Sequence, residues 1–364
     1  MTVRAPPRRL LLASLGAVFA AVTFAYFLPE IADYRDVWGL LRDLSWRWMS
    51  ALAAVTALNL VTFAPPWQVV LPGLPFRSAF LLTQASTSIA MVVPGGAAVG
   101  IAGAYGILRR WGFRSRDIGR AVTLVSLWNQ FANLSYPVIA VVLLAAFGAD
   151  SPVLASAGFI GAAILGVGIA ALGAVLYSDR TATWIGDRAA RIVDRVLAGL
   201  RRQPVLWSGV SFERFRGDAV DLLRRRWHVL TLATYAGTLT VFLVLLASLR
   251  ALEVPGSEVS LVEAFAAWSL ARFLGTIPIT PGGIGVVELG LTGALIGFGG
   301  NNAGVVAAVL LYRFLTMVPT IALGLVAAAA VRGGGTSEES RSRSEASFPA
   351  GASGGSRSTD SPEG

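Results

Sequence analysis

Three ionisable residues, Arg272, Glu288 and Arg313, lie within long apolar stretches of this chain. A charged side chain at the centre of a bilayer costs about 3 kcal/mol or more unless it is paired or hydrated, so such residues mark functional sites. Because Glu288 and Arg313 carry opposite charges, we expect them to pair at rest. Arg272 would be a second cationic contact for an anionic substrate. These residue types favour binding of a phosphate group, and no catalytic signature accompanies them.

Two broken helices should position these charges. The segment TPGGIGVVELGLTGAL, residues Thr280–Leu295, aligns without a gap with VPGGAAVGIAGAYGIL, residues Val93–Leu108. Pro lacks an N–H and clashes with the preceding turn, and Gly tolerates positive φ, so Pro-Gly-Gly breaks a helix. In a membrane, broken backbone persists only where protein buries it or where it lines a cavity. Two breaks in matching halves therefore indicate a transporter's binding site.

Each break leads into a half-helix, at Gly96 in the first half and at Gly283 in the second. A helix N-terminus carries unpaired N–H groups and partial positive charge, so two such ends near the midplane form an anion site that suits a lipid phosphate. Glu288 would lie one and a half turns into its half-helix. The polar cluster of Trp128, Asn129, Gln130 and Asn133 should face the Arg313 region from the first half. The predicted substrate-binding residues are Pro94, Gly95, Gly96, Asn129, Gln130, Arg272, Pro281, Gly282, Gly283, Glu288 and Arg313.

Two simpler interpretations of these residues stay open. Pro-Gly-Gly can act only as a kink between packed helices, as Gly often does in membrane proteins. The pair of Glu288 and Arg313 can be a static link that fastens the second hairpin to the last span. The recurrence of the break in both halves favours the binding site.

Composition sets the protein class. Of 364 residues, 55% are hydrophobic and 14% charged, and the mean hydropathy is +0.65, which is typical of a polytopic membrane protein. The net charge of +9 comes from 30 basic residues, all arginine, clustered in loops beside apolar stretches. That placement indicates membrane orientation and lipid headgroups rather than nucleic acid. The absence of cysteine excludes disulfides and thiolate metal sites, and we expect no cofactor or metal.

Apolar length and breaks predict an all-α polytopic integral membrane protein with about six full spans plus two re-entrant helical hairpins in two inverted-topology repeats. The regions are a cytoplasmic N-terminus (1–9), a first membrane repeat (10–147), a second membrane repeat (153–331) that contains a basic cytoplasmic loop (178–227), and a disordered cytoplasmic tail (332–364). The predicted spans are 10–28, 46–64, 118–147, 153–177, 228–249 and 303–331, and the hairpins are 79–108 and 261–298. Pro65-Pro66 should end the second span.

The order of spans also predicts symmetry and orientation. Each repeat crosses the membrane three times, so the second is inverted and the two breaks should meet near the midplane. Outward segments hold only four arginines, Arg35, Arg42, Arg47 and Arg250, if the N-terminus is cytoplasmic. The excess of arginine on inward segments places both termini in the cytoplasm of a plasma-membrane protein.

The central loop contains a candidate headgroup site. Between Trp184 and Leu200, apolar residues fall near one helical face, and Arg188, Arg191 and Arg195 mark the other. This pattern predicts an interfacial amphipathic helix that binds anionic lipid headgroups through the three arginines. A solvated loop helix without a lipid role is the alternative.

The second break with Glu288, the sequence Tyr312-Arg313-Phe314 and Pro319 resembles the transmembrane domain of bacterial lysylphosphatidylglycerol synthases/flippases. The resemblance covers about residues 10–331. PGGxGxxE is fairly specific, whereas the first break, PGGAAVG, matches more loosely. The resemblance implies a flippase-like membrane protein. Larger members carry a C-terminal aminoacyl-transferase domain; this sequence ends in a short polar tail, so we expect a free-standing member. Some relatives are associated with polyprenyl-linked sugars.

The sequence therefore predicts a flippase-like transporter that moves a phosphate-bearing lipid, phospholipid or polyprenyl-linked, between leaflets through a midplane site. Its partners would be anionic or phosphate-bearing membrane lipids and no nucleic acid, with a homo-oligomer left open. An integral membrane transferase is one alternative, but it needs acidic ligands, and no Asp-x-Asp occurs. A small-solute secondary transporter is another. It would have a narrow closed cavity, whereas a lipid flippase needs a groove open to the bilayer.

Overall fold

The computed structural model describes residues 34–92, 96–146, 156, 159–160, 162–170, 209–275 and 280–346, which are helical apart from short turns and contain no strand. The labelled helices are α1 (Tyr34–Arg42), α2 (Trp46–Thr62), α3 (Pro65–Val70), α4 (Phe76–Val92), α5 (Gly96–Arg110), α6 (Ser115–Ala146), α7 (Gly209–Ala251), α8 (Leu261–Gly275), α9 (Val286–Gly297) and α10 (Asn302–Ala346). A 3-10 turn at Pro281–Gly283 lies between α8 and α9.

Four stretches of these helices are long and apolar enough to cross a membrane. They are Trp46–Val70, Ser115–Ala146, Arg225–Ala251 and Asn302–Ala327. They confirm the prediction of an all-α polytopic membrane protein. The predicted span at 10–28 lies outside the described residues. Of the predicted span at 153–177, the described part is helical.

The prediction that Pro65-Pro66 ends the second span is wrong. Helix α2 ends at Thr62, and Pro65 begins the short helix α3, so the apolar segment continues to Val70. Proline is tolerated in the first turn of a helix because the N–H it lacks would have no partner there. The two prolines therefore mark a bend between two helices rather than the end of the span.

Two helices extend beyond the apolar runs that predicted them. Helix α7 begins at Gly209, within the predicted basic loop, and α10 continues to Ala346, so the tail predicted as disordered from residue 332 is helical in its first part. Hydropathy fails at these extensions because they are polar. An existing helix propagates without a new nucleation cost, and the Glu and Arg residues of both extensions are good helix formers.

The two hairpins consist of α4 with α5 and α8 with α9, whose limbs pack against each other. Their 12 to 17 residues give lengths of about 18 to 26 Å at 1.5 Å per residue. Each limb is thus shorter than the hydrocarbon core of about 30 Å. In the first hairpin the limbs are close, since a Cβ on Gly100 would lie 2.7 Å from the Ser86 carbonyl oxygen. The re-entrant path and the inversion of the repeats stay predictions.

The two halves of the chain exchange contacts. The first limb of each hairpin packs against the last span of the other half, α4 on α10 and α8 on α6. Helices α2 and α7 cross where a Cβ on Gly237 would lie 2.8 Å from the Thr62 carbonyl oxygen. Beside this crossing, the Asn59 amide donates to Thr240 Oγ1 at 3.0 Å, and the hydroxyls of Thr62 and Thr240 are 2.9 Å apart. This arrangement packs the first limb of each hairpin, α4 and α8, against spans of both halves.

Candidate functional site

The second break is a turn that only glycine accommodates easily. Gly282, Gly283 and Gly285 have φ of 62°, 69° and 87°, in the left-handed region that side-chain-bearing residues rarely adopt. Gly282 also lies against the end of α4, where a Cβ would be 3.1 Å from the Met91 carbonyl oxygen. The turn therefore meets the helix that leads into the first break. Residues 93–95 of that break, including the predicted Pro94 and Gly95, lie outside the described residues.

Glu288 caps the half-helix after this break. Helix α9 begins at Val286, and the backbone N–H of Gly285 donates to Glu288 Oε2 at 2.7 Å. The prediction that the half-helix begins at Gly283 is wrong, because the positive φ of Gly285 delays helical geometry until the next residue. Glu288 is thus in the first turn, and its carboxylate already occupies one of the N-terminal N–H groups, that of Gly285, that the sequence suggested for an external anion.

Glu288 and Arg313 form the ion pair predicted from sequence. Arg313 Nε lies 2.6 Å from Glu288 Oε1, and Arg313 Nη2 donates to the Gly282 carbonyl oxygen at 2.8 Å. Glu288 is only 1% exposed, and its two carboxylate oxygens accept from Arg313 and from the Gly285 N–H. The guanidinium joins α10, α9 and the broken turn at one point.

Arg272 makes a second charged contact, between α8 and α6. Its Nε and Nη2 donate to Asn133 Oδ1 at 3.1 and 2.8 Å, and its guanidinium lies 5.3 Å from the centre of the Trp268 ring. No carboxylate within the described part of the chain pairs with it. Asn133 in turn donates to Gln130 Oε1 at 3.4 Å. The polar cluster of α6 therefore meets Arg272 through Asn133, whereas the sequence placed it opposite the Arg313 region.

A cavity of about 610 Å³ lies between the hairpins and the spans. Five of the predicted residues line it, namely Asn129, Gln130, Arg272, Gly282 and Arg313. The structure thus brings together predicted residues from both halves of the chain. Trp128 takes no part in the lining, and its indole donates to Thr231 Oγ1 at 2.9 Å.

The other predicted residues do not line this cavity. Glu288 and Gly283 are buried behind it, and Pro281 is part of the 3-10 turn. Gly96 begins α5 and packs against α4, where a Cβ would overlap the Ala90 carbonyl group. Its close approach to α4, rather than contact with a ligand, explains the glycine. Arg188, Arg191 and Arg195 lie outside the described residues, so their role stays a prediction.

Sequence reasoning missed the hydroxyl groups of the cavity. Thr83, Ser86 and Thr87 line it from α4, and Thr234 lines it from α7. The spacing of the three α4 residues, at i, i+3 and i+4, puts them on one helical face and was the available signal. Thr234 offered no such pattern. Within the described residues no group of His, Cys, Asp and Glu could hold a metal ion.

The comparisons with known proteins agree with this membrane fold. None of the curated proteins matches the chain. A family model described as the lysylphosphatidylglycerol synthase TM region matches residues 11–324, which include both breaks, Glu288 and both cavity arginines. This match covers most of the sequence, so the chain belongs to the lysylphosphatidylglycerol synthase transmembrane-region family.

Proposed function

We propose that this protein is a flippase-like transporter that moves a phosphate-bearing lipid between the leaflets of the plasma membrane. Membership of the family makes it a membrane protein related to lipid. The observation that carries the proposal is the convergence of Arg272, Arg313 and the broken turn at Gly282 on one cavity. Guanidinium groups bind phosphate through directed, charge-assisted hydrogen bonds. A lipid phosphate is the anion that the surrounding bilayer supplies.

Arg313 would couple binding to movement. A phosphate that reaches its guanidinium competes with Glu288 Oε1 and with the Gly282 carbonyl oxygen for the same N–H donors. Because these contacts join α9, α10 and the broken turn, their exchange would loosen the second hairpin from the last span. Glu288 would keep its contact with the Gly285 N–H and cap α9 throughout. Before substrate binds, the Glu288 carboxylate would occupy the Arg313 donor that the phosphate later takes.

The outer surface of α5 supports a route for acyl chains. Ile101 lines the cavity and is 44% exposed, and the neighbouring Val99 and Tyr105 are also exposed. In a membrane protein such exposed apolar side chains face lipid. The cavity wall is therefore continuous with an apolar outer face at this helix. A lipid can keep its chains in the bilayer there while its headgroup enters the cavity, an arrangement that a small-solute transporter does not need.

The orientation completes the proposal. Both termini would lie in the cytoplasm, so the first hairpin would enter from the cytoplasmic side and the second from outside. The breaks would then meet near the bilayer centre, where a headgroup in transit needs polar contacts most. The contact between Gly282 and Met91 supports this meeting point.

A reconstitution experiment tests the proposal. Purified protein in phosphatidylcholine vesicles with acyl-labelled fluorescent phosphatidylglycerol should make inner-leaflet label accessible to an external, membrane-impermeant quencher. We expect Arg272→Gln and Arg313→Gln to slow this exchange about tenfold or more, since each loses a charge-assisted contact. Arg225→Gln, on an exposed arginine outside the cavity lining, is the matched control and should keep the wild-type rate.

A charge swap separates a functional pair from a structural one. Glu288→Arg combined with Arg313→Glu keeps an ion pair but moves the cation away from the cavity. We expect this variant to fold and to lose exchange. Normal exchange in a folded swap variant would show that the pair only fastens the hairpin, and it would contradict the assigned role of Arg313.

A further inference from the structure

The charges around the cavity do not balance. Arg272 and Arg313 line it, whereas no Asp or Glu does so among the described residues. The nearby Glu288 carboxylate is buried, with Oε1 accepting from Arg313 and Oε2 from the Gly285 N–H. One guanidinium is thus neutralised and the other, Arg272, contacts only a neutral amide and an aromatic ring within the described part. The site carries about one net positive charge, which matches a phosphodiester.

The same charges oppose an ammonium group. A headgroup amine entering the cavity would meet two guanidinium groups and find no free carboxylate on the described lining. Like charges a few ångström apart repel strongly where water is scarce. A headgroup with a lysyl or ethanolamine group is therefore poorly matched to this cavity, even though its phosphate fits the arginines.

The other polar side chains on the described lining are uncharged. They include the hydroxyls of Thr87 and Ser126 and the amides of Asn129 and Gln130. Hydroxyl and amide groups both donate and accept hydrogen bonds, so they complement a ligand that carries hydroxyl groups of its own. A volume of about 610 Å³ lies within the range of about 300–1,000 Å³ that small-molecule pockets occupy. The cavity thus has room for a polar group beyond the phosphate.

From these observations we infer that the cavity selects lipids whose phosphate carries an uncharged, hydroxyl-bearing headgroup, such as a glycerol or sugar, and rejects headgroups that carry an ammonium. This inference rests on the proposed lipid transport and adds the substrate class to it.

Four acyl-labelled lipids in phosphatidylcholine vesicles provide the test: phosphatidylglycerol, phosphatidylmethanol, phosphatidylethanolamine and lysylphosphatidylglycerol. We expect phosphatidylglycerol to exchange about tenfold faster than lysylphosphatidylglycerol, with phosphatidylethanolamine between them. Phosphatidylmethanol has the charge of phosphatidylglycerol without its hydroxyls, so a slower rate for it isolates the hydroxyl contribution. Thr87→Val, which keeps the shape of the side chain, should reduce that difference, because the partly buried Thr87 lines the cavity.

Asn129→Asp tests the electrostatic half of the inference. It adds a carboxylate to the lining at nearly constant side-chain shape. The exchange of phosphatidylglycerol should therefore become slower and the exchange of lysylphosphatidylglycerol faster. Asn302→Asp, at an exposed residue outside the lining, is the matched control and should leave the ratio unchanged. Gln130→Glu makes the same test if Asn129→Asp fails to fold.

The outcomes separate this inference from the proposed function. If no lipid exchanges, both fail. If all four lipids exchange at equal rates, the transport stands and the selectivity fails. A wild-type preference that Asn129→Asp and Gln130→Glu leave unchanged would place the selectivity outside this cavity and overturn the assignment. Soluble glycerol 3-phosphate offers the same phosphate and hydroxyl groups without acyl chains. If it blocks phosphatidylglycerol exchange at an equal concentration, the cavity prefers the free phosphate, and the inference that its ligand is a lipid is wrong.

Discussion

At the scale of single residues, Arg313 holds three parts of the structure at one point. It contacts the Glu288 carboxylate and the carbonyl oxygen of Gly282, while Glu288 also caps α9. Burial of both charges is costly, and the pair compensates only while both partners are present. Under the proposed function, a phosphate that replaces Glu288 would keep the charge of Arg313 compensated, and Glu288 would keep its contact with the Gly285 N–H.

Replacing Glu288 by Gln should destabilise the protein by about 3 kcal/mol, because Arg313 keeps its charge without a carboxylate partner. The double variant Glu288→Gln with Arg313→Gln removes both charges and should recover part of that loss. Thermal unfolding of the detergent-solubilised protein measures both effects. If the double variant loses as much as the sum of the single variants, the two side chains do not interact and this account of the pair is wrong.

Glu263 supplies the matched control for the capping part of this effect. It lies in the first turn of α8, the other limb of the same hairpin, where its carboxylate accepts from the backbone N–H of Ser260 at 2.8 Å and from the Ser260 hydroxyl at 2.7 Å. No arginine pairs with it in the described part of the chain. Glu263→Gln should therefore cost about 1 kcal/mol, the usual value of a cap. The excess at Glu288 is the contribution of the ion pair.

The sequence predicted this pair but not the helix register around it. Two opposite charges in apolar stretches have few alternatives to pairing, so Glu288 and Arg313 could be matched without a structure. The start of α9 depends on the positive φ of Gly285, and a sequence with several adjacent glycines does not say which of them adopts it. The helix start expected at Gly283 was therefore wrong, and the proposed phosphate site relies on the side chains of Arg272 and Arg313 instead.

At the scale of elements, close helix crossings depend on single glycines. Gly237→Ala would place a Cβ 2.8 Å from the Thr62 carbonyl oxygen at the crossing of α2 and α7. Because that neighbour is backbone, the helices must separate, and we expect a loss of about 1–3 kcal/mol in thermal unfolding. Gly106→Ala is the control, since nothing lies within 4 Å of its added Cβ. It should be neutral or stabilise α5 by up to about 1 kcal/mol. Equal effects at the two positions would contradict the crossing.

The contact between the hairpin helix α4 and the last span has its own test. Gly324→Ala would make a Cβ overlap the Ser88 side chain and approach the Gln84 carbonyl oxygen to 2.7 Å. We expect this variant to unfold at a lower temperature. Adding Ser88→Gly makes room for the methyl group and should recover part of the loss, with a coupling of about 1–3 kcal/mol. Strictly additive effects would show that α4 and α10 do not meet there.

Hydropathy predicted the membrane-spanning cores of these elements but not their ends. The apolar parts of α6, α7 and α10 coincide with predicted spans, because only a long apolar helix is stable in lipid. The polar extension of α7 back to Gly209 has no apolar signal, and helix propensity alone is a weak guide. At Pro65 the predicted span was too short rather than too long, since proline both ends helices and begins them.

At the scale of the whole molecule, the cavity forms where the hairpin helices of each half pack against the last span of the other half. The sequence supplied the matched breaks and hence the expectation that they meet. It did not show that α4 would pack on α10 and α8 on α6, since those pairings depend on small residues such as Gly324 fitting against Ser88. The hydroxyl groups of α4 and the arginines of α8 and α10 line one cavity only as a result of this exchange. A residue such as Thr234 therefore gains its place in the site from tertiary packing alone.

The orientation of the whole molecule can be tested because the chain has no cysteine, so an introduced thiol is unique. Ser115 begins α6 beside the basic segment 109–120, and Ser257 follows α7; both are exposed. Asn301 joins the start of α10 to the loop of Ser257, donating to the Glu253 carbonyl oxygen at 3.1 Å, so these two segments share one end of the bundle. The arginine-rich segment at the other end should be cytoplasmic. In intact cells, a membrane-impermeant maleimide should label Ser257→Cys and should label Ser115→Cys only after permeabilisation. The opposite pattern would reverse the orientation. Labelling of both in intact cells would place the two loops on one side and refute the odd number of crossings predicted between them.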